Sequence, residues 1–398
     1  MNILLLCNKS PYPAKEGGPI AMNAIIEGLI NAGHKVKVLA INTNKYNIDV
    51  NKIPDKYRKK TNIETVYIDL SIKPVDAFLN LFTKKSYHVQ RFISKNFDKK
   101  LIEILKSNEF DIIQFETLFI TPYINTIRKH SKARIVLRAH NIEYLIWERV
   151  AKSCKNPLKK LYLRHLSKTL KNYEVQALEK YDGIASITKK DAQDLRNMGS
   201  KTPVIDISFG INTEKFKVDN SKTEFPSLFH IGAMNWIPNE EGIKWFLENV
   251  WAKINNEFPE LKFYLAGREM PRWLYNTKFP NVVVIGEVES ASEFINLKSV
   301  MIVPLLSGSG IRIKIIEGMA MGKTIVSTSI GAEGINYDNG KNILIANTAE
   351  EYLTAVRKCV EDKNFTEEIG KNARDLISHH HDNKKIIERL TKFYQDIL

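Results

Sequence analysis

Short apolar runs alternate with longer helix-like stretches along the chain, and this alternation occurs twice. The first series begins at Ile3–Cys7 and the second at Leu228–Ile231. Alternation of this kind is typical of parallel sheets, because parallel strands need a crossover, usually a helix, between them. The pattern therefore predicts an α/β fold with two Rossmann-like domains of similar size.

A polar segment separates the two series. Residues 209–226 contain Gly210, have little hydrophobic periodicity and are interpreted as an interdomain linker. We expect an N-terminal domain over residues 1–208, a C-terminal domain over residues 227–382, and a last helix over residues 383–398 that could cross back to the first domain. The 398 residues, of which 43% are hydrophobic, are enough to bury two cores.

The remaining apolar runs predict the other strands, and the stretches between them predict helices. Further strands are expected at residues 35–41, 63–68, 111–115, 134–138, 183–187, 204–207, 261–266, 282–285, 300–303, 324–327 and 342–345. The expected helices include residues 96–107, 158–181 and 240–255, each as one continuous element.

The net charge of +14 comes entirely from the first half of the chain. Residues 1–210 hold 36 Lys and Arg against 20 Asp and Glu, whereas residues 211–398 hold 23 against 25. This asymmetry fits either a basic composition that aids solubility or attraction to an anionic partner, such as lipid headgroups or a lipid diphosphate. No nucleic-acid partner is expected, because no recognised binding motif accompanies the charge.

The cysteines and the apolar runs indicate a compartment. Cys7, Cys154 and Cys359 are too widely spaced for a disulfide framework or a zinc site, which favours a reducing compartment. The apolar run at Ile3–Cys7 is too short for a signal peptide, and no run reaches the ~20 residues of a membrane span. We expect a soluble cytoplasmic protein that could also bind peripherally at the inner face of the membrane.

Residues 303–322 are predicted to form a strand, a glycine-rich loop and a helix. Gly308 and Gly310 would let the backbone approach a ligand, towards which the helix would direct its free N–H groups. Arg312 and Lys314 fall in the first turn, where positive charge opposes the helix dipole, so a bound anion such as a nucleoside diphosphate would account for them. The alternative is an ordinary glycine loop with two solvated cations.

Glu317 follows Lys314 by three residues and could accept hydrogen bonds from both hydroxyls of a ribose. A solvated helix glutamate is the simpler interpretation of this residue alone. The chain contains no Asp-x-Asp sequence, which could hold a metal ion at a diphosphate. We therefore expect fixed protein cations to stabilise the diphosphate, with no metal and no cofactor.

Residues 300–335 resemble the donor-site signature of glycosyltransferase family 4, a large group of retaining enzymes with the GT-B fold. The match is the sequence Glu-Gly-Met-Ala-Met-Gly that begins at Glu317, with the strand and turn beyond it. The resemblance implies that Glu317 holds the ribose and that Arg312 and Lys314 neutralise the diphosphate during catalysis. The sequence departs from the signature at Ser309, which stands where the family has a glutamate that contacts the transferred sugar.

The resemblance extends over essentially the whole chain. Residues 208–216 are similar to the family's interdomain stretch, residues 229–242 to the first strand and loop of its donor domain, and residues 284–288 to the loop that receives the base. The donor-binding residues implied by the resemblance are Gly232, Glu287, Val288, Gly308, Ser309, Gly310, Ile311 and Glu317.

Segments of the first half are candidates for catalysis and acceptor binding. Gly17 and Gly18 resemble the family's opening glycine loop, which would lie near phosphate or acceptor, although a plain turn is the alternative. His140 follows a predicted strand at the position of the family's crevice histidine near the transferring sugar, although a lone histidine is more often structural. Weaker candidates for acceptor binding are Glu116, Arg138 and Asn141.

The resemblance implies two facing domains with an interdomain cleft, the arrangement of the GT-B fold. It predicts transfer, with retention, of a sugar from a UDP- or GDP-sugar to a glycan or lipid-linked acceptor in cell-surface polysaccharide synthesis. Two alternatives stay open. One is a nucleotide-sugar epimerase on the same fold, and the other is a non-catalytic binder of nucleotide sugars in which Ser309 marks loss of the sugar site.

Overall fold

The computed structural model describes residues 1–14, 17–216, 218–219, 221–308 and 310–398. It divides into two compact units. The first unit comprises Met1–Gly210 together with Asn383–Leu398, and the second comprises Ile211–Asp382. The chain thus leaves the first unit after Gly210, forms the second unit, and returns to the first unit for its last helix.

The first unit contains a sheet whose neighbouring strands are all parallel among the described residues. The strands are β1 (Asn2–Cys7), β2 (Lys35–Asn42), β3 (Glu64–Tyr67), β4 (Ile112–Phe115), β5 (Arg134–Ala139), β6 (Gly183–Ser186) and β7 (Val204–Asp206). Their order is β3-β2-β1-β4-β5-β6-β7, with Ile3 of β1 between Val36 and Ile112 of its two neighbours. The order reverses between β1 and β4, and sheets of this type bind ligands at the carboxyl ends of the strands that flank such a switch point.

Helices cover both faces of this sheet. They are α1 (Gly17–Asn31), α2 (Asp55–Thr61), α3 (Pro74–Asn80), α4 (Tyr87–Gln90), α5 (Lys95–Ser107), α6 (Ile124–His130), α7 (Glu143–Ser153), α8 (Pro157–Ala177) and α9 (Lys189–Asn197), with short 3-10 turns at Val50–Lys52, Leu118–Tyr123 and Leu178–Lys180. Leu4 of β1 belongs to the core on one face and Ile3 to the core on the other. Because β1 is buried on both faces, its sequence is a continuous apolar run rather than an alternating one.

The second unit has the same architecture. Its strands are β8 (Glu224–Ile231), β9 (Phe263–Ala266), β10 (Val282–Gly286), β11 (Lys298–Val303), β12 (Thr324–Ser327) and β13 (Leu344–Ile345). Their order is β10-β9-β8-β11-β12-β13 with parallel neighbours, so its switch point lies at the carboxyl ends of β8 and β11. Its helices are α10 (Ile237–Phe246), α11 (Ala252–Glu257), α12 (Arg272–Tyr275), α13 (Ala291–Asn296), α14 (Ile313–Ala320), α15 (Ala349–Glu361) and α16 (Lys363–His380), with a 3-10 turn at Thr213–Lys215 and a π-helical turn at Leu247–Trp251.

The last helix, α17 (Asn383–Ile397), belongs to the first unit. Its residues Ile387, Leu390 and Phe393 are buried in the core that also contains Ile3 and Leu5 of β1. These apolar residues recur at a spacing of three, which places them on one side of the helix. A short C-terminal segment therefore completes the core of a domain that is otherwise built from the first half of the chain.

The predicted α/β fold with two Rossmann-like domains is confirmed. Most strand bounds differ from the predicted ones by one or two residues, and the largest difference is at β8. The strand expected from Leu228 begins at Glu224, so residues 224–226 of the predicted linker belong to β8. The carboxylate of Glu224 accepts a hydrogen bond from the Tyr264 hydroxyl at 2.8 Å and also pairs with Lys298. These partners satisfy the polar start of the strand, which in the sequence is indistinguishable from a loop.

Candidate functional site

A glycine-containing loop connects β11 to α14 at the switch point of the second unit. Gly308 and Gly310 have φ angles of 109° and 85°, a region that residues with a Cβ rarely adopt. Arg312 is the N-cap residue of α14, and Lys314 and Glu317 lie in its first and second turns. The free N–H groups at this end of the helix therefore lie beside two cationic side chains.

The ammonium group of Lys314 is fixed by neutral partners. Its Nζ donates hydrogen bonds to Oδ1 of Asn239 at 2.7 Å and to Nε2 of His230 at 3.2 Å. The other ring nitrogen of His230, Nδ1, donates to the carbonyl oxygen of Ile302 at 2.8 Å, which leaves Nε2 as an acceptor. A Cβ at Gly232 would lie 2.6 Å from Nζ, so only glycine leaves room for the ammonium group at this position.

Arg312 is held by a separate set of contacts. Its side chain is buried, and its guanidinium carbon lies 5.3 Å from the centre of the Trp236 ring. The Nη1 group donates a hydrogen bond to the carbonyl oxygen of Gly310. The guanidinium group thus folds back over the glycine loop, and its charge lies against the backbone of the loop.

Burial sets the ionisation of three groups around this loop. It lowers the pKa of Lys314 to about 7, with the charge of Arg312 acting in the same direction. It raises the pKa of Glu317 to about 7 and lowers the pKa of His230 well below its usual value. An anion beside Lys314 would favour its charged form, so the loop is chemically suited to an anionic ligand.

The loops that follow β8, β9 and β10 pack against one another through glycines. The backbone N–H of Gly267 donates to the carbonyl oxygen of Gly286 at 2.7 Å, and a Cβ at Gly267 would lie 1.8 Å from the carbonyl oxygen of Gly232. Glu287, which is exposed, and Val288, which is half-buried, directly follow Gly286. The predicted base-binding loop is therefore linked by close backbone packing to the loop that contains Gly232.

Two further predicted donor residues, Ser309 and Ile311, lie next to Gly310 in the sequence. Ile311 is half-buried in the same loop, and Ser309 lies outside the described residues.

The sequence did not single out His230 and Asn239, the two partners of Lys314. They precede Lys314 by 84 and 75 residues, and neither a single histidine in an apolar strand nor an asparagine in a helix indicates such a contact.

A buried polar cluster lies at the switch point of the first unit. Glu116 directly follows β4, and its Oε2 accepts hydrogen bonds from Nη1 of Arg138 at 3.0 Å and from Nε2 of His140 at 2.8 Å. Its Oε1 accepts a hydrogen bond from the side-chain amide of Gln114. The carbonyl oxygen of that amide accepts a hydrogen bond from the hydroxyl of Tyr394 in α17. The cluster therefore joins β4, the end of β5 and the last helix.

The ionisation states of this cluster follow from its contacts. Burial raises the pKa of Glu116, but Arg138 and His140 outweigh it and hold the pKa below its usual value. Burial lowers the pKa of His140, and the hydrogen bond to Glu116 opposes this only in part. A carboxylate only accepts hydrogen bonds, so Nε2 of His140 carries a proton and Nδ1 is left as the basic nitrogen.

The other predicted residues of the first unit lie around this cluster or at the start of α1. Arg138 is fully buried and contacts Glu116 rather than solvent. Asn141 is half-buried and follows His140 in the turn before α7. The predicted glycines are the first two residues of α1, namely Gly17 and Gly18. The structure thus brings Glu116, Arg138 and His140 into direct contact.

The described part of the chain contains neither a group of metal-binding side chains nor a helix that could span a membrane. Among those residues, no three His, Cys, Asp or Glu side chains are grouped so that they could hold a metal ion. In the same residues, no helix has the length and apolar character needed to cross a bilayer.

Comparisons with known proteins concern both the second unit and the whole chain. Residues 225–362 match the family model described as glycosyl transferases group 1. The chain is 23% identical over 402 residues to an uncharacterized 44.6 kDa protein in the cps region of Klebsiella pneumoniae, a match that covers 98% of this chain and 99% of that protein. It is 24% identical over 205 residues to the capsular polysaccharide biosynthesis glycosyltransferase CapM of Staphylococcus aureus, covering 48% of this chain and 54% of CapM.

The fold is similar to that of solved glycosyltransferase structures. HepE of Anabaena, solved in complex with UDP, matches with a TM-score of 0.68 at 14% identity, and the match covers 100% of both chains. At this identity the likeness concerns the fold alone. The chain thus has the two-domain α/β fold of GT-B glycosyltransferases, and residues 225–362 of its second unit match the family of group 1 glycosyl transferases.

Proposed function

We propose that this chain transfers a sugar from a UDP- or GDP-sugar to a glycan or lipid-linked acceptor during cell-surface polysaccharide synthesis. The observation that carries the proposal is the pair of basic side chains, Arg312 and Lys314, at the start of α14 and at the switch point of the second sheet. The structure of HepE in complex with UDP supports a nucleotide-sugar donor. CapM, a capsular polysaccharide biosynthesis glycosyltransferase, supports an acceptor that belongs to a cell-surface polysaccharide.

In this proposal the second unit binds the donor. The diphosphate accepts hydrogen bonds from the loop N–H groups and from Lys314, while Glu317 accepts hydrogen bonds from the ribose hydroxyls. Backbone groups near Glu287 and Val288 bind the base. Negative charge grows on the diphosphate as the bond to the sugar breaks, so the cations Arg312 and Lys314 stabilise the transition state more than the bound donor.

The first unit is assigned to the acceptor and to the transferring sugar. His140 presents Nδ1 as a hydrogen-bond acceptor because Nε2 donates to Glu116. Arg138 keeps Glu116 ionised, and Glu116 in turn holds the imidazole in one tautomer. Asn141, Gly17 and Gly18 are the proposed contacts to acceptor or phosphate. Retention of the anomeric configuration is part of the proposal and is tested by NMR of the product.

The test is a turnover assay with a panel of UDP- and GDP-sugars, with and without a glycan or lipid-linked acceptor. Release of nucleoside diphosphate that depends on the acceptor is the expected result. Conversion of the donor sugar without any acceptor would instead identify a nucleotide-sugar epimerase. Binding of the nucleotide sugar with no turnover under any condition would identify a non-catalytic binder and overturn the proposal.

We further propose that the reaction needs no metal ion, because protein cations stand where the diphosphate would bind. The transferase rate should therefore stay within about twofold of its starting value after addition of excess EDTA, a factor equivalent to about 0.4 kcal/mol of activation free energy. The measurement is the initial rate with and without EDTA. Complete loss of activity that magnesium or manganese restores would show that a metal ion stabilises the leaving group.

The charge of the first half supports contact with an anionic membrane surface, where a lipid-linked acceptor would be found. The first 210 residues carry the whole positive excess of the chain. Basic surfaces are attracted to anionic headgroups within about a Debye length, roughly 8–10 Å at physiological salt. We propose that the first unit binds such a surface peripherally.

A further inference from the structure

A row of large apolar side chains faces solvent on helix α3 and its flanks. Val75 and Phe78 lie three residues apart on one side of α3, Ile72 lies just before the helix, and Phe82 lies in the turn after it with its ring 5.5 Å from that of Phe78. Each of these four side chains is between 61 and 77% exposed. Isolated exposed apolar residues are ordinary, but four large ones within eleven residues along one short helix and its flanks expose apolar area that water disfavours.

The opposite side of α3 is the side that packs on the protein. Ala77 contacts a small apolar cluster that includes Leu163 of α8. Asn80 is buried, and its carbonyl oxygen accepts a hydrogen bond from Nε2 of His165 in α8 at 3.3 Å. The helix is therefore anchored by its small and polar residues, and its large apolar residues face outwards.

Helix α8 adds two apolar side chains beside this row. Leu158 and Leu161 are 80 and 68% exposed, and they precede His165 by seven and four residues on the same side of α8. His165 is the residue that contacts α3. We call the surface formed by these side chains the apolar ridge; it consists of Ile72, Val75, Phe78, Phe82, Leu158 and Leu161.

Basic residues surround the apolar ridge. Residues 71–85 contain three lysines and one acidic residue, and residues 152–168 contain six lysines and arginines and no acidic residue. Among them, Lys84 and Lys85 follow Phe82 after one intervening residue and are exposed. The two segments that form the ridge thus contribute nine of the cations of the first unit against a single anion.

We propose that the apolar ridge inserts into an anionic lipid surface while the surrounding lysines contact the headgroups. A lipid surface offers both chemistries at once, namely apolar chains beneath and negative charge around. A second copy of the chain fits less well, because two such basic surfaces repel each other. A glycan fits less well because it has no extended apolar region. This inference rests on the membrane contact proposed above and identifies the surface that makes it.

The test is co-sedimentation of the full chain with vesicles of phosphatidylcholine alone and of phosphatidylcholine mixed with phosphatidylglycerol. The parent protein should bind the mixed vesicles and be released at high salt. The double variant F78S/F82S and the single variant L158S remove apolar contact, and each should weaken binding about tenfold or more. The double variant K84E/K85E should weaken binding about 30-fold or more.

Matched controls keep the same chemical changes away from the apolar ridge. L398S alters an exposed leucine at the end of the chain, and K59E/K60E reverses two exposed lysines on α2, which packs beside the core on the other face of the sheet. Both controls should sediment with mixed vesicles more strongly than the matching ridge variants. Circular dichroism melting curves establish that all variants remain folded, which is expected because every altered side chain is exposed.

Each outcome bears on the proposal in a defined way. Mixed-vesicle binding that the ridge variants lose and the controls retain supports it. If the ridge variants still bind, the apolar ridge is not the contact surface, although the membrane contact itself stands. If the parent does not bind, both proposals are wrong. A parent that elutes as a dimer, and ridge variants that elute as monomers, would show that the ridge is a self-association surface. Turnover with a water-soluble acceptor is measured in parallel, because it tests the transferase proposal independently of any lipid.

Discussion

At the scale of single residues, Lys314 and Glu317 are half-buried ionisable groups, and no opposite charge in the described part of the second unit contacts either of them. The hydrogen-bond partners of Lys314, namely Asn239 and His230, are neutral. Burial alone raises the pKa of Glu317 to about 7. Such groups cost folding free energy in the free protein, and a ligand that supplies the missing partners recovers it. A ligand that places an anion beside Lys314 and hydroxyl donors beside Glu317 would account for both pKa values.

The first prediction concerns binding by these side chains. Charge-assisted hydrogen bonds contribute roughly 1.5–3 kcal/mol each, so Glu317→Ala should weaken both the nucleotide sugar and the free nucleoside diphosphate by about 10- to 150-fold. Arg312→Ala and Lys314→Ala should weaken the diphosphate and scarcely affect the nucleoside. Isothermal titration calorimetry with nucleoside, nucleoside diphosphate and nucleotide sugar measures all three affinities.

The control for this experiment is Lys253→Ala, which removes an exposed cation from α11 in the same unit. Its affinities should match those of the parent. Unchanged diphosphate affinity in all three site variants would place the donor elsewhere. A uniform loss that includes Lys253→Ala would indicate a general electrostatic effect rather than a defined site.

The second prediction concerns the pH dependence of stability. Ionising Glu317 in the folded state is unfavourable, because its folded pKa of about 7 lies above its usual value of 4.5. The parent therefore loses stability as pH rises from about 4.5 to about 7. Glu317→Gln cannot ionise, so its free energy of unfolding relative to the parent should rise over this range and then level off at a gain of roughly 1–3 kcal/mol.

Urea denaturation at several pH values measures this difference. Glu368→Gln is the matched control, since it makes the same change on an exposed helix position in the second unit. A Glu317→Gln difference that does not change with pH would mean that the carboxyl group is solvated, and that its position in α14 implies no ligand.

At the scale of elements, the sequence predicted strands better than helices. The run expected at residues 324–327 is β12 to the residue, because buried parallel strands need continuous apolar runs that little else produces. The helix expected over residues 240–255 is interrupted by a π-helical turn at Leu247–Trp251, which hydrophobic periodicity does not reveal. No helix was predicted from the sequence at the position of α3, whose large apolar residues face solvent and contribute to no core.

The candidate site was predictable where one segment carries it and not where distant segments meet. The glycine loop, Arg312, Lys314 and Glu317 are contiguous in sequence, so spacing and resemblance were enough to group them. The cluster around Glu116 combines β4, β5 and α17, and no spacing rule connects Gln114 to Tyr394 across 280 residues. Such contacts depend on the order of strands in the sheet, which the alternation of strands and helices leaves open.

The third prediction follows from the reach of α17 into this cluster. Tyr394→Phe removes the hydroxyl that donates to Gln114, which frees the Gln114 amide to turn away from Glu116. The carboxylate of Glu116, held less firmly in this variant, forms a weaker hydrogen bond to His140 and raises its pKa less. The pKa of His140 should therefore be lower in the variant than in the parent. If His140 acts as the neutral imidazole, the acidic limb of the kcat/KM profile should move to lower pH.

Initial rates measured across pH test this prediction, and kcat should fall by about three- to tenfold, the equivalent of roughly 1 kcal/mol for one lost hydrogen bond. Tyr352→Phe is the control: it is equally buried, lies in the second unit, and its hydroxyl has no hydrogen-bond partner among the described residues. A profile for Tyr394→Phe that superimposes on that of Tyr352→Phe would leave Tyr394 a structural residue only.

At the scale of the whole molecule, the two units share one strand order, apart from the additional β7 of the first, but they differ in net charge. The first 210 residues carry the positive excess, and the remaining 188 are nearly balanced. The first unit is also the discontinuous one, since Asn383–Leu398 returns to it after the second unit is complete. Its stability therefore depends on the C-terminus of the chain, whereas the second unit is formed by one uninterrupted segment.

The last prediction tests this division by deleting residues 383–398. The deletion removes Ile386, Ile387, Leu390, Phe393 and Tyr394 from the core of the first unit. At roughly 1.5–3 kcal/mol for each large apolar side chain, the loss is comparable to the whole stability of a typical domain, about 5–15 kcal/mol. The first unit should therefore fail to fold, while the second unit, whose core contains none of these residues, should fold independently.

Differential scanning calorimetry with and without a nucleoside diphosphate separates the two units. The full chain should show contributions from both, and the deleted chain should show one transition of smaller enthalpy, since unfolding enthalpy scales with the number of residues that unfold. Because the donor site is assigned to the second unit alone, the ligand should still raise the temperature of that remaining transition. A deleted chain that melts like the parent would contradict the assignment of α17 to the first core. A remaining transition that no longer responds to the ligand would contradict the assignment of the donor site to the second unit.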